Sequence, residues 1–182
     1  MQIERFEIEG LILIKPRVFS DERGYFFESF NQKQFNELTG LDLDFVQDNE
    51  SKSNYGVLRG LHLQKPPHAQ GKLVRVVQGK VLDVAVDIRK KSPTYGKYQS
   101  AVLSGENKHQ LYIPPGFAHG FAVLEDNTIF CYKCTGMYNK ESEVAIKWND
   151  EDIHIDWGIN NPILSDKDQK NSITLQSFNS PF

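Results

Sequence analysis

Two of the five histidines lie in segments whose neighbouring residues suit catalysis or ligand binding. His62 follows Arg59-Gly60-Leu61 inside an otherwise apolar run, and His119 follows Pro115-Gly116-Phe117-Ala118. A neutral imidazole has a reference pKa of about 6.5, so either histidine can act as a general base near neutral pH. Imidazole is also a common metal ligand, so further ligands must be sought. We expect surface or structural roles for the other three: His68, His109 and His154.

The residues around His62 and His119 argue against a metal site. The segment from Pro115 to Phe121, with Pro-Gly-x-x-His leading into a strand, is similar to the second motif of the cupin barrels. In metal-binding cupins the first motif supplies His-x-His and a nearby glutamate, whereas this chain has Gln64 two residues after His62. Since a metal usually needs three or four converging ligands, the sequence predicts that no metal is bound.

Cys131 and Cys134 have the spacing of a metal or redox pair, but they lie in a strand-like run. Residues three apart on a strand point to opposite faces, so the two thiols diverge. We therefore predict two small buried apolar side chains and no disulfide framework, as in a reducing cytosol. On the same run Tyr132 shares a face with Phe130, and an inward tyrosine is ordinarily a core aromatic with one hydrogen bond to its hydroxyl.

Four basic residues lie in or beside strand-like runs: Arg23, Arg59, Lys72 and Arg75. Charged groups in half-buried segments need partners. Either they pair with nearby carboxylates (Glu28, Asp83 or Asp87) or they bind an anionic ligand. Separated arginines with aromatic neighbours suit a diphosphate that bears a planar base.

One feature of strand geometry opposes a shared site for Arg59 and His62. The two are separated by an odd number of residues, so a regular strand directs them to opposite faces. Gly60 lies between them and permits a bulge or bend that brings both side chains to one pocket.

The elements that must position these residues are mostly strands. Apolar or alternating runs span 11–14, 24–30, 73–77, 81–88, 98–103, 110–113, 120–124, 128–135 and 144–148. A hairpin is predicted at Gln78-Gly79-Lys80, and one short helix at 31–38 with a stop at Gly40. Single helical turns are predicted at 150–153 and 165–170. Many short strands with Gly, Pro and Asn turns favour an antiparallel sandwich or barrel.

Composition restricts the classes of protein to which the chain can belong. At 182 residues it predicts one domain. A formal net charge of -3 excludes a broad basic surface that binds nucleic acid through phosphates alone. No apolar run approaches the roughly 20 residues of a membrane span, and the start of the chain shows no secretory signal pattern. We therefore expect a cytoplasmic protein that binds neither nucleic acid nor membranes.

Several segments, taken together and in order, resemble the dTDP-4-dehydrorhamnose 3,5-epimerases of nucleotide-sugar metabolism. The resemblance runs from about residue 3 to residue 170. It rests on residues 19–26, 47–49, 56–64, 66–76, 83–89, 92–96, 115–121 and 164–168.

The resemblance implies a cupin-like jelly roll that binds no cofactor and acts as a homodimer. The single epimerase domain spans 1–182, with a core at about 45–150 on which both terminal segments pack. The implied substrate is dTDP-4-keto-6-deoxy-D-glucose, inverted at C3 and C5 to dTDP-4-keto-6-deoxy-L-mannose on the way to dTDP-L-rhamnose. His62 matches the family's base, Asp168 its carboxylate partner, Tyr132 the acid on the other face of the sugar ring, and Lys72 the lysine near the C4 oxygen.

These residue types agree with the implied chemistry. C3 and C5 both flank the C4 ketone, so enolate formation acidifies a proton on either carbon. A carboxylate on one imidazole nitrogen fixes the tautomer and stabilises the imidazolium. A cation beside the C4 oxygen stabilises the enolate, and inversion requires a second acid on the opposite face.

The same resemblance implies a set of substrate-binding residues. Arg23 and Arg59 are expected on the diphosphate, and Glu28 and Gln47 near the thymine. Aromatic residues are expected to stack on the base or close the pocket: Phe19, Phe26 and Tyr138. The remaining expected site residues are Asn49, His119, Glu143 and Lys167.

Three alternatives stay open. A relative that epimerises only C3 or only C5 shares His62 and Lys72 and differs in acid placement and pocket shape. A metal-dependent cupin is disfavoured by Gln64. A non-catalytic sugar-nucleotide-binding jelly roll keeps the aromatic and arginine residues but does not need His62 paired with Asp168.

Overall fold

A computed structural model describes all residues from 1 to 182. Thirteen strands are present: β1 Gln2–Arg5, β2 Ile12–Lys15, β3 Phe19–Asp21, β4 Gly24–Phe26, β5 Gln47–Ser53, β6 Leu58–Gln64, β7 Lys72–Gln78, β8 Lys80–Asp87, β9 Tyr98–Ser104, β10 Gln110–Ile113, β11 Phe117–Val123, β12 Thr128–Cys134 and β13 Glu143–Ala145. The helices are α1 Gln32–Thr39, α2 Asp166–Lys170 and one 3₁₀ turn, Lys140–Ser142. No helix is long and apolar enough to cross a membrane.

Eleven of the strands form two antiparallel sheets that face each other, and β3 and β4 form a separate two-stranded sheet. The six-stranded sheet has the order β1-β2-β10-β7-β12-β5, and the five-stranded sheet has the order β13-β6-β11-β8-β9. A core cluster drawn from both sheets fills the space between them, with Val74 and Phe130 from one side and Ala85 and Phe121 from the other. The all-β jelly roll predicted from the sequence, with a few short helices, is confirmed.

Strand β8 is buried on both of its faces, which explains its long apolar run. Val81 and Ala85 point into the core between the sheets, whereas Val84, Val86 and Ile88 pack under the C-terminal segment. That outer cluster includes Trp157, Leu175 and Phe178 from the C-terminal segment. The segment therefore covers the outer face of the five-stranded sheet, while α1 covers part of the other sheet through Phe35, packed against Ile12, Ile14, Leu73 and Tyr112.

The hairpin predicted at Gln78-Gly79-Lys80 is wrong. β7 pairs with β10 and β12, whereas β8 pairs with β9 and β11, so the chain changes sheets at this turn. Gly79 has a φ of +78°, and a Cβ there would lie 2.2 Å from Thr128 Oγ1. The glycine is needed because the corner brings the two sheets together closely, not because the strands pair.

The helices predicted at 31–38 and 165–170 are confirmed, whereas 150–153 forms a turn and not a helix. Four strands lie outside the predicted runs: β1, β3, β5 and β6. Asn31 caps α1 by accepting the Gln34 N–H, and Gly40 ends it in the left-handed conformation. Of these, β5 is polar throughout and lies at the sheet edge, paired only with β12.

Candidate active site

A bulge in β6 brings Arg59 and His62 to the same face. In the pairing of β6 with β11, His62 is opposite His119 and Arg59 is opposite Phe121, so β6 carries one extra residue. Gly60 has a φ of +137°, and a Cβ there would lie 2.5 Å from the Gly120 Cα. The bulge requires glycine at position 60. Because the bulge adds one residue to β6, Arg59 and His62 point to the same face, as the presence of Gly60 in the sequence permitted.

His62 is paired with a carboxylate from the C-terminal part of the chain. Its Nε2 lies 2.5 Å from Asp168 Oδ1. Because Asp168 occupies Nε2, we assign the proton to that nitrogen and leave Nδ1 as the free basic atom. The His62 side chain keeps 28% of its surface exposed, whereas Asp168 keeps 3%. The base can therefore meet a ligand, while its partner is shielded.

The N-cap of α2 fixes the Asp168 carboxylate. Ser165 Oγ accepts the Asp168 N–H at 3.2 Å and donates to Asp168 Oδ2 at 2.8 Å. Burial alone raises the pKa of Asp168, but the hydrogen bonds from His62 and Ser165 and the charge of Lys167 outweigh it and hold this pKa below its ordinary value. Asp168 therefore stays ionised beside the imidazole.

A second histidine–carboxylate pair lies next to the first, across the β6–β11 ladder. His119 Nε2 lies 2.9 Å from Asp83 Oδ2, and the two side chains are 8% and 0% exposed. Burial lowers the pKa of His119, although the charge of Asp83 opposes this effect. Its ring stacks on Phe130, whose own ring stacks on Phe121.

Tyr132 and Lys72 face His62 from the opposite sheet. Tyr132 lies on the inner face of β12 and Lys72 begins β7, with its Nζ 6.0 Å from the centre of the Tyr132 ring. Burial raises the pKa of Tyr132, so it stays protonated as an acid. Burial lowers the pKa of Lys72, against the opposing charges of Asp83 and Glu143.

These side chains line one cavity of about 760 Å³ between the two sheets. Eight of the predicted site residues meet there: Asn49, Arg59, His62, Lys72, His119, Tyr132, Lys167 and Asp168. An adjoining recess of about 270 Å³ shares His62, Lys72, Asn49 and Tyr132 with it and adds Gln47, Tyr138 and Glu143. The cavity has a base on one wall and an acid and a cation on the other.

A model of the dTDP-4-dehydrorhamnose 3,5-epimerase family matches residues 5–176. The chain belongs to this family. A relative named dTDP-4-dehydrorhamnose 3,5-epimerase from Shigella flexneri is 58% identical over 168 residues, which cover 92% of this chain and 93% of the relative.

Solved structures of this epimerase family have the same fold. A dTDP-6-deoxy-D-glucose-3,5-epimerase from Legionella pneumophila, solved with dTDP-4-keto-L-rhamnose, superposes with a TM-score of 0.93 at 49% identity and covers 98% of this chain and 94% of its own. A 3'-monoepimerase from Streptomyces bikiniensis, in complex with dTDP-quinovose, has a TM-score of 0.90 at 32% identity, with 97% and 88% covered. The chain is therefore an epimerase with the cupin-like jelly roll.

In this epimerase two of the site cations, Arg59 and Lys72, have no ion-pair partner, whereas Lys167 pairs with Glu143. The three carboxylates named as candidate partners of the basic residues bind other groups: Glu28 accepts a hydrogen bond from Asn31, Asp83 pairs with His119, and Asp87 pairs with Arg89. Arg59 donates only to Ser53 Oγ, at 3.1 and 3.3 Å. The alternative in which Arg59 and Lys72 pair with these carboxylates is wrong, so both cations remain available to an anion.

Four predicted binding residues lie outside the cavity of their own chain. Phe19, Arg23 and Phe26 lie on the β3–β4 hairpin, which forms a separate two-stranded sheet, and Glu28 follows it. Phe19 and Phe26 are 51% and 72% exposed, and Arg23 pairs only with Asp21. The structure groups these residues with one another and not with His62.

The roles of two supporting residues, Ser165 and Asp83, were not predicted from the sequence. Ser165 and Asp168 form a Ser-x-x-Asp cap, a pattern that predicts a helix start and could have identified the serine that orients Asp168. Asp83 was considered as a partner of the basic residues, and only the fold shows that its partner is His119.

Proposed function

We propose that this enzyme inverts C3 and C5 of dTDP-4-keto-6-deoxy-D-glucose, giving dTDP-4-keto-6-deoxy-L-mannose for dTDP-L-rhamnose synthesis. The observation that carries the proposal is the placement of His62 with Asp168 on one sheet and Tyr132 on the other. Inversion needs a proton removed from one face of the sugar and another delivered to the opposite face, and two walls with complementary groups supply this arrangement.

His62 acts as the base through Nδ1, because Nε2 is engaged by Asp168. It removes the proton from C5 or C3, each of which flanks the C4 ketone, and the electron pair moves onto the C4 oxygen to form an enolate. Asp168, ionised and buried, holds the imidazole in one tautomer and stabilises the imidazolium that forms.

Lys72 stabilises the enolate and Tyr132 completes the inversion. The ammonium of Lys72 has no carboxylate within ion-pair distance, so its charge is free to face the C4 oxygen. Tyr132, kept protonated by its raised pKa, donates a proton to the carbon from the other face. Each inversion leaves His62 protonated and Tyr132 deprotonated, so His62 releases its proton to solvent and Tyr132 regains one from solvent before the second carbon reacts. The proposed reaction requires no cofactor or metal.

The remaining site residues bind the nucleotide and sugar. Arg59 faces the cavity with its charge uncompensated, which suits the diphosphate. Gln47 and Tyr138 line the recess and are assigned to the thymine, Tyr138 by stacking. Around the sugar we place Asn49, Glu143 and Lys167, with His119 in the cavity floor beneath them.

We propose a homodimer in which each hairpin completes the site of the other subunit. Phe19, Arg23 and Phe26 lie away from the cavity of their own chain, yet they match the binding residues of the family. Both observations are explained if these residues bind substrate in the cavity of the neighbouring subunit. Mixing inactive Arg23→Ala and His62→Ala chains should restore part of the activity, because a mixed dimer has one intact site. If the mixture stays inactive although exchange of subunits is demonstrated, each chain uses its own hairpin.

We further propose that residues 1–182 act as one epimerase unit in the cytoplasm. β2 is hydrogen-bonded to β10 within the six-stranded sheet, and the C-terminal part supplies Asp168, so both termini support the site. Cys131 and Cys134 are free thiols, consistent with a reducing compartment.

Deuterium labelling tests the reaction. With the ketosugar in deuterium oxide, deuterium should enter both C3 and C5, read by NMR or mass spectrometry of the sugar. Label at one carbon would favour the second candidate, a monoepimerase, whose fold is represented among the solved structures at 32% identity. Label at neither carbon would remove the epimerase proposal.

A further inference from the structure

The loop that carries Tyr138 is held to the barrel by hydrogen bonds and not by burial. It spans residues 135–139, between β12 and the 3₁₀ turn, and Met137 and Tyr138 are 63% and 53% exposed. None of its residues belongs to the hydrophobic clusters of the protein. A segment with so little buried apolar surface is fixed in place mainly by its polar contacts.

Three glutamine side chains make such contacts with nearly successive backbone groups. Gln70 Nε2 donates to the Gly136 carbonyl at 2.6 Å. Gln47 Oε1 accepts the Tyr138 N–H at 3.0 Å, and Gln64 Oε1 accepts the Asn139 N–H at 3.0 Å. We name these three the glutamine cradle. Gln47 lies on β5 and Gln64 on β6, so the cradle ties the loop to both sheets at the mouth of the recess.

The surroundings of Gln64 favour a carboxamide over a carboxylate at this position. Gln64 is 6% exposed and is the register partner of Glu143, which accepts from Tyr138 Oη and pairs with Lys167. A carboxylate at 64 would oppose Glu143 with a like charge. A carboxamide supplies the acceptor for Asn139 without adding charge to the site.

We infer that Gln64 and Gln70 are positioning residues for nucleotide binding: with Gln47 they hold the loop so that Tyr138 stands over the recess beside His62 and Lys72. The inference rests on the proposed function, since it takes the thymine end of a dTDP-sugar as the ligand of Tyr138. Neither glutamine is needed at the reacting carbons, so they act on binding and not on proton transfer.

Substitution of the cradle should separate binding from turnover. Gln64→Met and Gln70→Met each remove one hydrogen bond to the loop, so KM for the ketosugar and Kd for dTDP should rise roughly three- to tenfold with kcat nearly unchanged. Gln70→Glu keeps the size but cannot donate and adds a negative charge, so it should weaken binding at least as much as Gln70→Met. Gln99→Met is the matched control, because Gln99 also donates to a backbone carbonyl, that of Ser100, but on β9 outside the cavity.

A double variant distinguishes positioning from general stabilisation. In a Tyr138→Ala background, Gln64→Met should add nothing further to Kd for dTDP, because the ring that it positions is gone. An additive loss, or a fall in kcat accompanied by a lower melting temperature, would overturn the inference. Binding of dTDP is measured without turnover, so failure of the wild type to epimerise the ketosugar would count against the proposed function alone.

Discussion

The two histidine–aspartate pairs use the same contact in different surroundings. His62 Nε2 lies 2.5 Å from Asp168 Oδ1, and His119 Nε2 lies 2.9 Å from Asp83 Oδ2. The two histidines are on neighbouring strands of one sheet. The first imidazole is 28% exposed and its carboxylate comes from α2, more than 100 residues away in sequence. The second pair lies wholly within adjacent strands of the sheet and is nearly inaccessible.

From this contrast we infer that accessibility, and not the pair itself, decides which histidine can transfer protons. A base must reach the substrate carbon, which only His62 can do through its free Nδ1. His119 is surrounded by Asp83, Phe121 and Phe130, and burial lowers its pKa. Its hydrogen bond satisfies a fully buried carboxylate, so its main contribution is to the stability and shape of the cavity floor.

Substitution of the two histidines tests this contrast with the largest expected effect. His62→Ala should reduce kcat by roughly 10²- to 10⁴-fold, because it removes the base, and should leave dTDP affinity nearly unchanged. It should lower stability less than His119→Ala does, because Asp168 keeps its hydrogen bond from Ser165. His119→Ala leaves Asp83 buried without a partner and should lower the free energy of unfolding by about 3 kcal/mol. Steady-state kinetics and denaturant titration measure both. A stable, inactive His119→Ala protein would reverse the assignment.

Lys72 sharpens the comparison because it faces both pairs from the opposite sheet. Lys72→Met should lower kcat roughly 10²-fold through loss of the charge beside the enolate. In the wild type, activity should fall as pH rises through the lowered pKa of Lys72, since deprotonation removes that charge. Lys72→Arg keeps the charge, so the alkaline limb of the kcat profile should move to higher pH. An unmoved limb would assign it to another group.

The two aspartates should differ as their histidines do, with a smaller effect on rate. Asp168→Asn keeps the shape but loses the charge that stabilises imidazolium, so kcat should drop roughly 10²-fold with little change in stability. Asp83→Asn should instead lower stability by about 1–3 kcal/mol, because its partner is buried. Rate measurements and thermal unfolding on the same preparations separate the two outcomes. Equal effects of both variants on kcat would contradict the division of roles.

The smallest effect is expected at the cap of α2. Ser165→Ala removes one hydrogen bond to the Asp168 carboxylate and should lower kcat about three- to tenfold. Ser177→Ala is a matched control on another serine turn, bonded to Thr174 and exposed. A Ser165→Ala enzyme with wild-type kcat would show that α2 orients Asp168 without its cap.

Local features of the fold could be predicted from the sequence, whereas pairings between distant strands could not. Helix α1 has a capping asparagine and a stop glycine, and β10 has a compact apolar run. Each element can therefore be predicted from residues that are adjacent in sequence. β5 is polar and stands at an edge, so it carries no hydrophobic period to detect. The turn at Gly79 resembles a hairpin, because the residues next to it do not indicate that β7 and β8 belong to different sheets.

The same division applies to the site. A bulge at Gly60 was predicted as the condition for Arg59 and His62 to share a pocket. This was possible because the face of a strand on which a residue lies follows from its spacing along the sequence. The link from His62 to Asp168 came only through the family resemblance, since 106 residues separate them. The roles of Gln64 and Gln70 depend on a loop whose position no local pattern specifies.

The central claim is that the accessible pair removes protons and the buried pair does not. The most direct measurement is deuterium exchange into C3 and C5 of the ketosugar, run in parallel for the wild type, His62→Ala and His119→Gln. Glutamine keeps a donor for Asp83, so this variant should fold. The account predicts label at both carbons for the wild type and His119→Gln and at neither carbon for His62→Ala. Label at both carbons in His62→Ala, or none in a folded His119→Gln protein, would contradict it.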